Sequence, residues 1–154
     1  MYHRILVAVD GSSTSRRALQ EALKVVADQH AHLLLLHVVD ESAMYRYPVP
    51  VGEALYPILE AWRQGGQKIL NEASDLARQA GAEVEAELLE SADRQVPDVI
   101  VDEAKRWEAD LIVMGTHGRQ GFAHLLLGSV AEGVIRITAV PVLLTRGADD
   151  VVTT

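Results

Sequence analysis

The stretch "RILVAVDGSSTS" (residues 4–15) contains a strand, a turn and the start of a helix. Its first seven residues form a nearly continuous apolar run rich in β-branched side chains, which predicts a buried strand closed by Asp10 and Gly11. Ser13 or Thr14 is placed to cap the helix that follows. That helix is predicted because apolar residues recur at helical spacing, namely Ala18, Leu19, Ala22, Leu23 and Val26.

Predicted strands and helices continue to alternate along the chain. Pro57 and the Gly65-Gly66 pair predict a kink or a late start in the second helix, and Gly81 is placed to end it. The alternating pattern of residues 82–90 predicts a strand near a sheet edge. Further strands are predicted at 32–40, 109–115 and 139–146, and further helices at 54–80, at 97–107 and through Val130, Val134 and Ile137.

Five strands that alternate with four helices predict an α/β fold with right-handed crossovers. We expect a doubly wound, Rossmann-like parallel sheet in the order 3-2-1-4-5. Residues 1–147 are predicted to form one domain, and residues 148–154 a flexible tail.

Composition narrows the classes of function. The chain has 154 residues, 49% of them hydrophobic with a single Phe, so the core is built from aliphatic side chains. A net charge of -8 argues against a general nucleic-acid surface, since phosphate backbones are bound by clustered Lys and Arg. The absence of cysteine excludes disulfides, thiolate metal sites and a thiol nucleophile. With no signal-peptide pattern and no apolar run of about 20 residues, we expect a cytoplasmic protein.

A ligand site is predicted where the strand order reverses. In open parallel sheets, ligands bind beyond the carboxyl ends of the strands at this switch point. Asp10 ends the first strand and Gly115 ends the fourth, and these strands are neighbours in the expected order. The Asp-Gly-Ser turn and the glycine-rich loop after strand four should therefore face the same crevice.

That loop, "GTHGRQGFAHLLLGSV" (residues 115–130), has the chemistry of an anion site. Its glycines permit close backbone approach, and Gly128-Ser129 begins a helix whose first amides favour negative charge. Residues 115–146 carry three arginines and one glutamate, a net charge of +2 within an acidic chain. The loop has neither the Gly-Lys-Ser/Thr of a Walker loop nor the dinucleotide fingerprint. Taken by itself, it fits a phosphate site and a plain connector equally.

The pattern Gly115-x2-Gly118-x9-Gly128-Ser129 resembles the signature of the ATP-binding branch of the universal stress protein family. Four blocks carry the resemblance in the family's order: "ILVAVDGS", "LLHVVD", "ADLIVMGTHGRQG" and "VAEGVIRITAVPVLLTR". The segment "ESADRQVPDVI" departs from the family by lacking a Gly-Asp-Pro turn, which affects the path of that loop.

The resemblance implies a set of contacts with ATP, or with ADP or AMP. Adenine and ribose contacts are implied for Ala8, Val9, Asp10 and Val38, and the ribose-phosphate path for Met114, Gly115, His117 and Gly118. Triphosphate contacts are implied for Arg119, Gly128, Ser129 and Val130. Any Mg²⁺ is expected to be carried on the phosphates.

A homodimer is expected through the last strand, Val140 to Thr145. The strand is apolar and would lie at a sheet edge, where Pro141 is tolerated and where an exposed edge invites pairing. The family resemblance also implies antiparallel pairing of the two final strands.

Several side chains also fit plainer roles. Asp10 could form only an Asx-turn with Ser12. His117 and His124 have no carboxylate partner at metal-ligand spacing, and His37 on an apolar strand fits a core histidine. Ser12 and Ser13 lack a paired base and are not expected to be nucleophiles.

Three functions compete for the same crevice. The first is a dimeric regulatory or stress-response module that binds ATP with little or slow hydrolysis, because no lysine clamp and no clear general base is visible. The second is a nucleotide hydrolase or transferase. The third, a flavodoxin-like protein with another cofactor, is disfavoured because the glycine loop follows strand four rather than strand one.

Overall fold

A computed structural model of the chain describes residues 1–42, 44, 55–117 and 127–147. Its five strands pair in parallel in the order β3-β2-β1-β4-β5, which confirms the predicted topology. The strands are β1 (Arg4–Ala8), β2 (His32–Val39), β3 (Val84–Glu90), β4 (Leu111–Gly115) and β5 (Val142–Thr145). In the described part of the chain the helices are α1 (Ser13–Gln29), α2 (Leu55–Gln79), α3 (Val96–Arg106) and α4 (Ser129–Ile137).

The sheet is buried on both faces, which is why its central strands are continuous apolar runs. Successive strand side chains point to opposite faces. Ile5 and Val7 pack with α1 and α2, whereas Leu6 packs with α3 and α4. The same division holds in β2, where Leu33 and Leu35 join the first cluster and Leu34 and Leu36 join the second.

The start of α1 and the end of β1 differ from the predictions made from sequence, and hydrogen bonds of the turn between them explain why. The cap of α1 is Ser12, whose hydroxyl accepts from the Ser15 amide at 3.1 Å, so the prediction of Ser13 or Thr14 was wrong by one or two residues. Strand β1 ends at Ala8 because Asp10 already belongs to the turn. Gly81 has the positive φ of +81° expected just beyond a helix end.

Helix α2 begins at Leu55 and is continuous through Gly65 and Gly66, so the late start offered by the sequence does not occur. The two glycines have opposite surroundings. A Cβ on Gly65 would meet nothing within 4 Å, but one on Gly66 would lie 2.5 Å from His37 Cδ2 and 2.7 Å from Leu88 Cδ1. Gly66 is therefore required for close packing of α2 on the sheet, while Gly65 has no such role.

The neighbouring glycines should respond oppositely to alanine. Gly66→Ala is expected to lower the free energy of unfolding by about 1–3 kcal/mol, because the His37 ring and Leu88 must shift. Gly65→Ala should raise it by about 0.5–1 kcal/mol through helix propensity. Urea unfolding of both variants checks this, and shifts of the same sign would contradict the packing.

The amino-terminal ends of β1 and β4 are held together by polar contacts. The Asp110 carboxylate accepts from the amides of His3 at 2.8 Å and Arg4 at 3.1 Å. The Arg4 guanidinium lies 4.2 Å from the centre of the Trp107 ring and donates through Nε to the Trp107 carbonyl at 2.7 Å. Trp107 is buried and its indole N–H donates to Glu85 at 2.8 Å, so this residue belongs to the core.

Among the helices that the structure describes, none is long and apolar enough to cross a membrane.

Candidate functional site

The candidate crevice lies at the carboxyl ends of β1 and β4. These strands are paired from Ile5 with Leu111 to Val7 with Val113, so the chain leaves both at the same edge of the sheet. This is the switch point, because β1 continues toward β2 on one side and β4 toward β5 on the other. The fold therefore places the turn at Asp10 beside the beginning of the loop that follows Gly115.

Three predicted adenine-side residues differ in burial. Ala8 and Val38 are half-buried and pack against the buried residues between the sheet and helices α3 and α4, among them Leu6, Ile100 and Val134, which we call the α3/α4 cluster. Val9 is buried on the opposite face of the sheet. The Val9 amide donates to the Leu36 carbonyl at 2.9 Å, and its own carbonyl lies 2.8 Å from His37 Nδ1. Both main-chain groups of Val9 therefore already have protein partners, and His37 has the core role that its position on an apolar strand indicates.

Asp10 forms the Asx-turn that the sequence allowed as its simpler role. Its Oδ1 accepts from the Ser12 amide at 2.9 Å and from the Ser12 hydroxyl. Its amide donates to the Ser15 hydroxyl at 3.3 Å. Within the described residues Oδ2 accepts no hydrogen bond, so this turn leaves one carboxylate oxygen for another ligand.

The two ends of the 115–128 loop are fastened to each other. The Gly128 amide donates to the Thr116 carbonyl at 2.7 Å, and the Thr116 amide donates to the Thr145 carbonyl at 2.9 Å. A Cβ on Gly128 would lie 2.8 Å from that Thr116 oxygen. The start of α4 is therefore held against the end of β4, with the buried Met114 beneath. Gly118, Arg119 and His124, and the tail 148–154, lie outside the described residues.

The first turn of α4 has the features of an anion site. Gly128 is its N-cap, no side chain of the part of the chain that the structure describes caps the helix, and the Glu132 amide is bonded to the Gly128 carbonyl. The amides of Ser129, Val130 and Ala131 precede that bond, so an α-helix offers them no acceptor of its own. Unsatisfied amides and the helix dipole both favour a negative group here.

Sequence reasoning missed Thr14 as a residue of this crevice. Thr14 is buried, its hydroxyl donates to the His117 carbonyl, and a Cβ on Gly115 would lie 2.8 Å from Thr14 Cβ. Thr145 approaches from the other side and donates to the Thr14 carbonyl at 3.4 Å. The sequence around Thr14, the run "SSTS" (residues 12–15), indicated only helix capping and not contact with a distant loop.

An acidic pair lies at the carboxyl ends of β2 and β3. Glu41 follows β2, and its amide donates to the Ser91 hydroxyl at 2.9 Å. Burial, then the charge of nearby Glu90, raises the pKa of the Glu41 carboxyl above its ordinary value, and no group of the described residues makes a hydrogen bond to the buried Oε1. The ion pair with Arg63 lowers the pKa of Glu90.

Ionised Glu41 should therefore destabilise the folded protein at neutral pH. Since its pKa is raised on folding, its contribution to stability is complete below the ordinary value of 4.5 and is lost as pH rises through the folded pKa. Glu41→Gln should raise Tm at pH 7 by about 2 °C, with the gain shrinking as pH falls toward that value. Thermal unfolding from pH 4.5 to 7 measures this, with exposed Glu72→Gln as the control. A gain that grows on acidification would contradict it.

A separate cavity of about 260 Å³ lies between α1 and α2. Its walls include Gly11, Arg16 and Leu19 from one side and Ile69 and Leu76 from the other. Of the predicted ligand contacts it includes only Val9, so it is not the crevice at the switch point. Among the described residues, no group of three His, Asp or Glu side chains comes together as a metal site.

Comparison with known proteins gives one consistent result. The model of the universal stress protein family matches residues 1–146. A universal stress protein of Methanocaldococcus jannaschii is 35% identical over 147 residues, which cover 95% of this chain and 83% of that protein.

Two solved structures share the fold and have a nucleotide bound. A universal stress protein in complex with cAMP is 30% identical with a TM-score of 0.65, over 94% of this chain and 97% of that one. The universal stress protein from Archaeoglobus fulgidus in complex with dAMP is also 30% identical with a TM-score of 0.65, over 94% of this chain and 98% of that one. Both ligands are adenine nucleotides.

Proposed function

We propose that this chain, which belongs to the universal stress protein family, binds ATP at the switch-point crevice and acts in the cytoplasm as a dimeric regulatory module. The observation that carries the proposal is the start of α4. It is held against β4 by the bond from Gly128 to Thr116, and no side chain among the described residues caps it. Relatives with the same fold bind cAMP and dAMP, which supports an adenine nucleotide as the ligand.

The chemistry of each part of the crevice fits one part of the nucleotide. The half-buried Ala8 and Val38 offer apolar surface to an adenine ring. Asp10 Oδ2 can accept from a ribose hydroxyl while Oδ1 stays in its turn. At the other end, the first amides of α4 and the Ser129 hydroxyl can donate to phosphate oxygens. Met114, Gly115 and His117 lie between these ends, along β4 and the residues after it.

We assign ATP rather than a monophosphate because the glycine signature extends from Gly115 through Gly118 to Gly128-Ser129 and includes Arg119. The net charge of +2 over residues 115–146 supports a highly charged phosphate group. Any Mg²⁺ is held mainly by the phosphates, and Asp10 Oδ2 is a carboxylate oxygen that could approach it.

Hydrolysis is proposed to be slow. Phosphoryl transfer is accelerated by cationic clamps and by a group that orients the attacking water. Asp10 already holds the Ser12 turn, and no lysine occurs anywhere in residues 106–154. A module that changes its surface on binding needs no turnover, whereas a hydrolase or transferase does.

The test has two steps. Mass spectrometry of the small molecules released by denaturing purified protein should detect an adenine nucleotide. Calorimetric titration with ATP, ADP, AMP and cAMP then ranks the ligands, and phosphate release measures turnover. Absence of binding by all four would overturn the proposal, and turnover well above background would instead favour the hydrolase or transferase.

The dimer is proposed to form through the free edge of β5. Among the described strands β5 pairs only with β4, and Leu143 is 38% exposed on it. Ile135 and Ile137 of α4 are each 44% exposed, so the end of the chain has further uncovered apolar surface. Antiparallel pairing of two β5 strands would give hydrogen-bond partners to the backbone N–H and C=O groups of this edge and would cover Leu143. Light scattering that returns only monomer at micromolar concentration would defeat this.

A further inference from the structure

We propose that Thr14 is a positioning residue of the nucleotide site, whose hydroxyl holds the beginning of the 115–128 loop in place. The inference rests on the proposed function, since it concerns how the same crevice is kept in shape. Thr14 lies in the first turn of α1, yet its hydroxyl donates to the carbonyl of His117, 103 residues away. It therefore joins the two segments that line the switch point.

The hydroxyl groups at the start of α1 form a short chain of polar contacts. Ser12 Oγ contacts Asp10 Oδ1 and lies 3.0 Å from Thr14 Oγ1, which in turn contacts the His117 carbonyl. The carboxylate and the carbonyl can only accept, so the Ser12 hydroxyl donates to Asp10 and the Thr14 hydroxyl donates to His117. The 3.0 Å contact between the two hydroxyls therefore has no proton of its own.

This chain places Thr14 between the two ends of the proposed ligand. Asp10 is at the ribose end and His117 begins the loop that leads toward the phosphates. The position of the His117 carbonyl thus depends on one hydroxyl of α1.

Close packing restricts the conformation of the Thr14 side chain. Thr14 is 7% exposed, and the space where a Gly115 side chain would stand is filled by Thr14 Cβ at 2.8 Å and Oγ1 at 2.9 Å. The Thr145 hydroxyl holds the Thr14 carbonyl at 3.4 Å. A residue without Cβ at position 115 and a short β-branched alcohol at position 14 are therefore matched to each other.

Two substitutions of Thr14 test the role of its hydroxyl and the role of its branched shape separately. Thr14→Val keeps the branched shape and loses the hydroxyl, whereas Thr14→Ser keeps the hydroxyl and loses the methyl group. We expect Thr14→Val to weaken ATP binding about tenfold and Thr14→Ser to stay within about twofold of wild type. Thr138→Val is the matched control, because it removes a hydroxyl that accepts from the Val140 amide at 3.0 Å, away from the crevice.

A second measurement needs no nucleotide. Hydrogen exchange of the amides of Thr116, His117 and Gly128 should be faster in Thr14→Val than in wild type and unchanged in Thr14→Ser. Equal affinity and exchange in the valine variant and wild type would overturn the inference, as would equal weakening in both variants. If wild type binds no adenine nucleotide, the proposed function fails, and the exchange rates still decide whether Thr14 holds the loop.

Discussion

Gly128→Ala is expected to weaken ATP binding by about 10- to 100-fold. The added Cβ would lie 2.8 Å from the Thr116 carbonyl oxygen, a backbone atom that cannot rotate away. The same oxygen accepts from the Gly128 amide at 2.7 Å, so relief of the clash has to lengthen that bond. The start of α4 would then move away from β4, and with it the amides that we assign to the phosphates.

Gly128→Ala should act only through steric clash and not through backbone strain. Gly128 has φ of -60° and ψ of 154°, which alanine adopts without strain. Gly65→Ala is the matched control, since its Cβ meets nothing within 4 Å, and it should bind ATP as wild type does. Calorimetric titration measures the affinities, and circular dichroism verifies that both variants are folded. Wild-type affinity in folded Gly128→Ala would show that the contact from Thr116 to Gly128 does not build the phosphate site.

Leu143→Lys is expected to convert the proposed dimer to monomer at micromolar concentration. Val142 and Leu144 pack against the α3/α4 cluster, so the alternation of β5 turns Leu143 to the other face, where it is 38% exposed. Pairing of two copies through β5 would bring two such residues close together. A lysine there replaces apolar contact with like charge, which weakens dimerisation by about 100-fold or more.

Size-exclusion chromatography with light scattering measures the change. Tyr56→Lys is the control, because Tyr56 is 66% exposed and lies on α2, which is not part of the β5 edge. It introduces the same charge and should leave the dimer intact. If Leu143→Lys remains dimeric, or if both variants dissociate, the interface is not the β5 edge.

The fold could be predicted from sequence because each buried strand is an apolar run and each helix has an apolar face. The order of strands followed from general rules for parallel sheets, and the structure confirms it. Exact ends were less predictable. Ser12, Ser13 and Thr14 are all capable caps, and tertiary contacts of Thr14 left that role to Ser12.

The candidate site was predictable in position and less so in detail. The turn at Asp10 follows β1 and the start of α4 is bonded to Thr116 after β4, so both lie at the carboxyl ends of two paired strands. Thr14 was missed because its partner His117 is remote in sequence, and no local pattern encodes such a contact. The late start of α2 at Gly65-Gly66 was wrongly predicted, because the need for Gly66 arises from the His37 ring on another element. The individual nucleotide contacts stay predictions.

The central place of β1 sets an order of events during synthesis. The ribosome makes β1 well before β4, yet one edge of β1 pairs with β4, which begins only at Leu111, and the first amides of β1 are bound by Asp110. Until those residues emerge, a nascent chain can pair β1, β2 and β3 but leaves an apolar strand edge open. Such an edge is a site for aggregation. Strand β1 thus completes its pairing late, and a chain truncated before Leu111 would expose the middle of its own sheet.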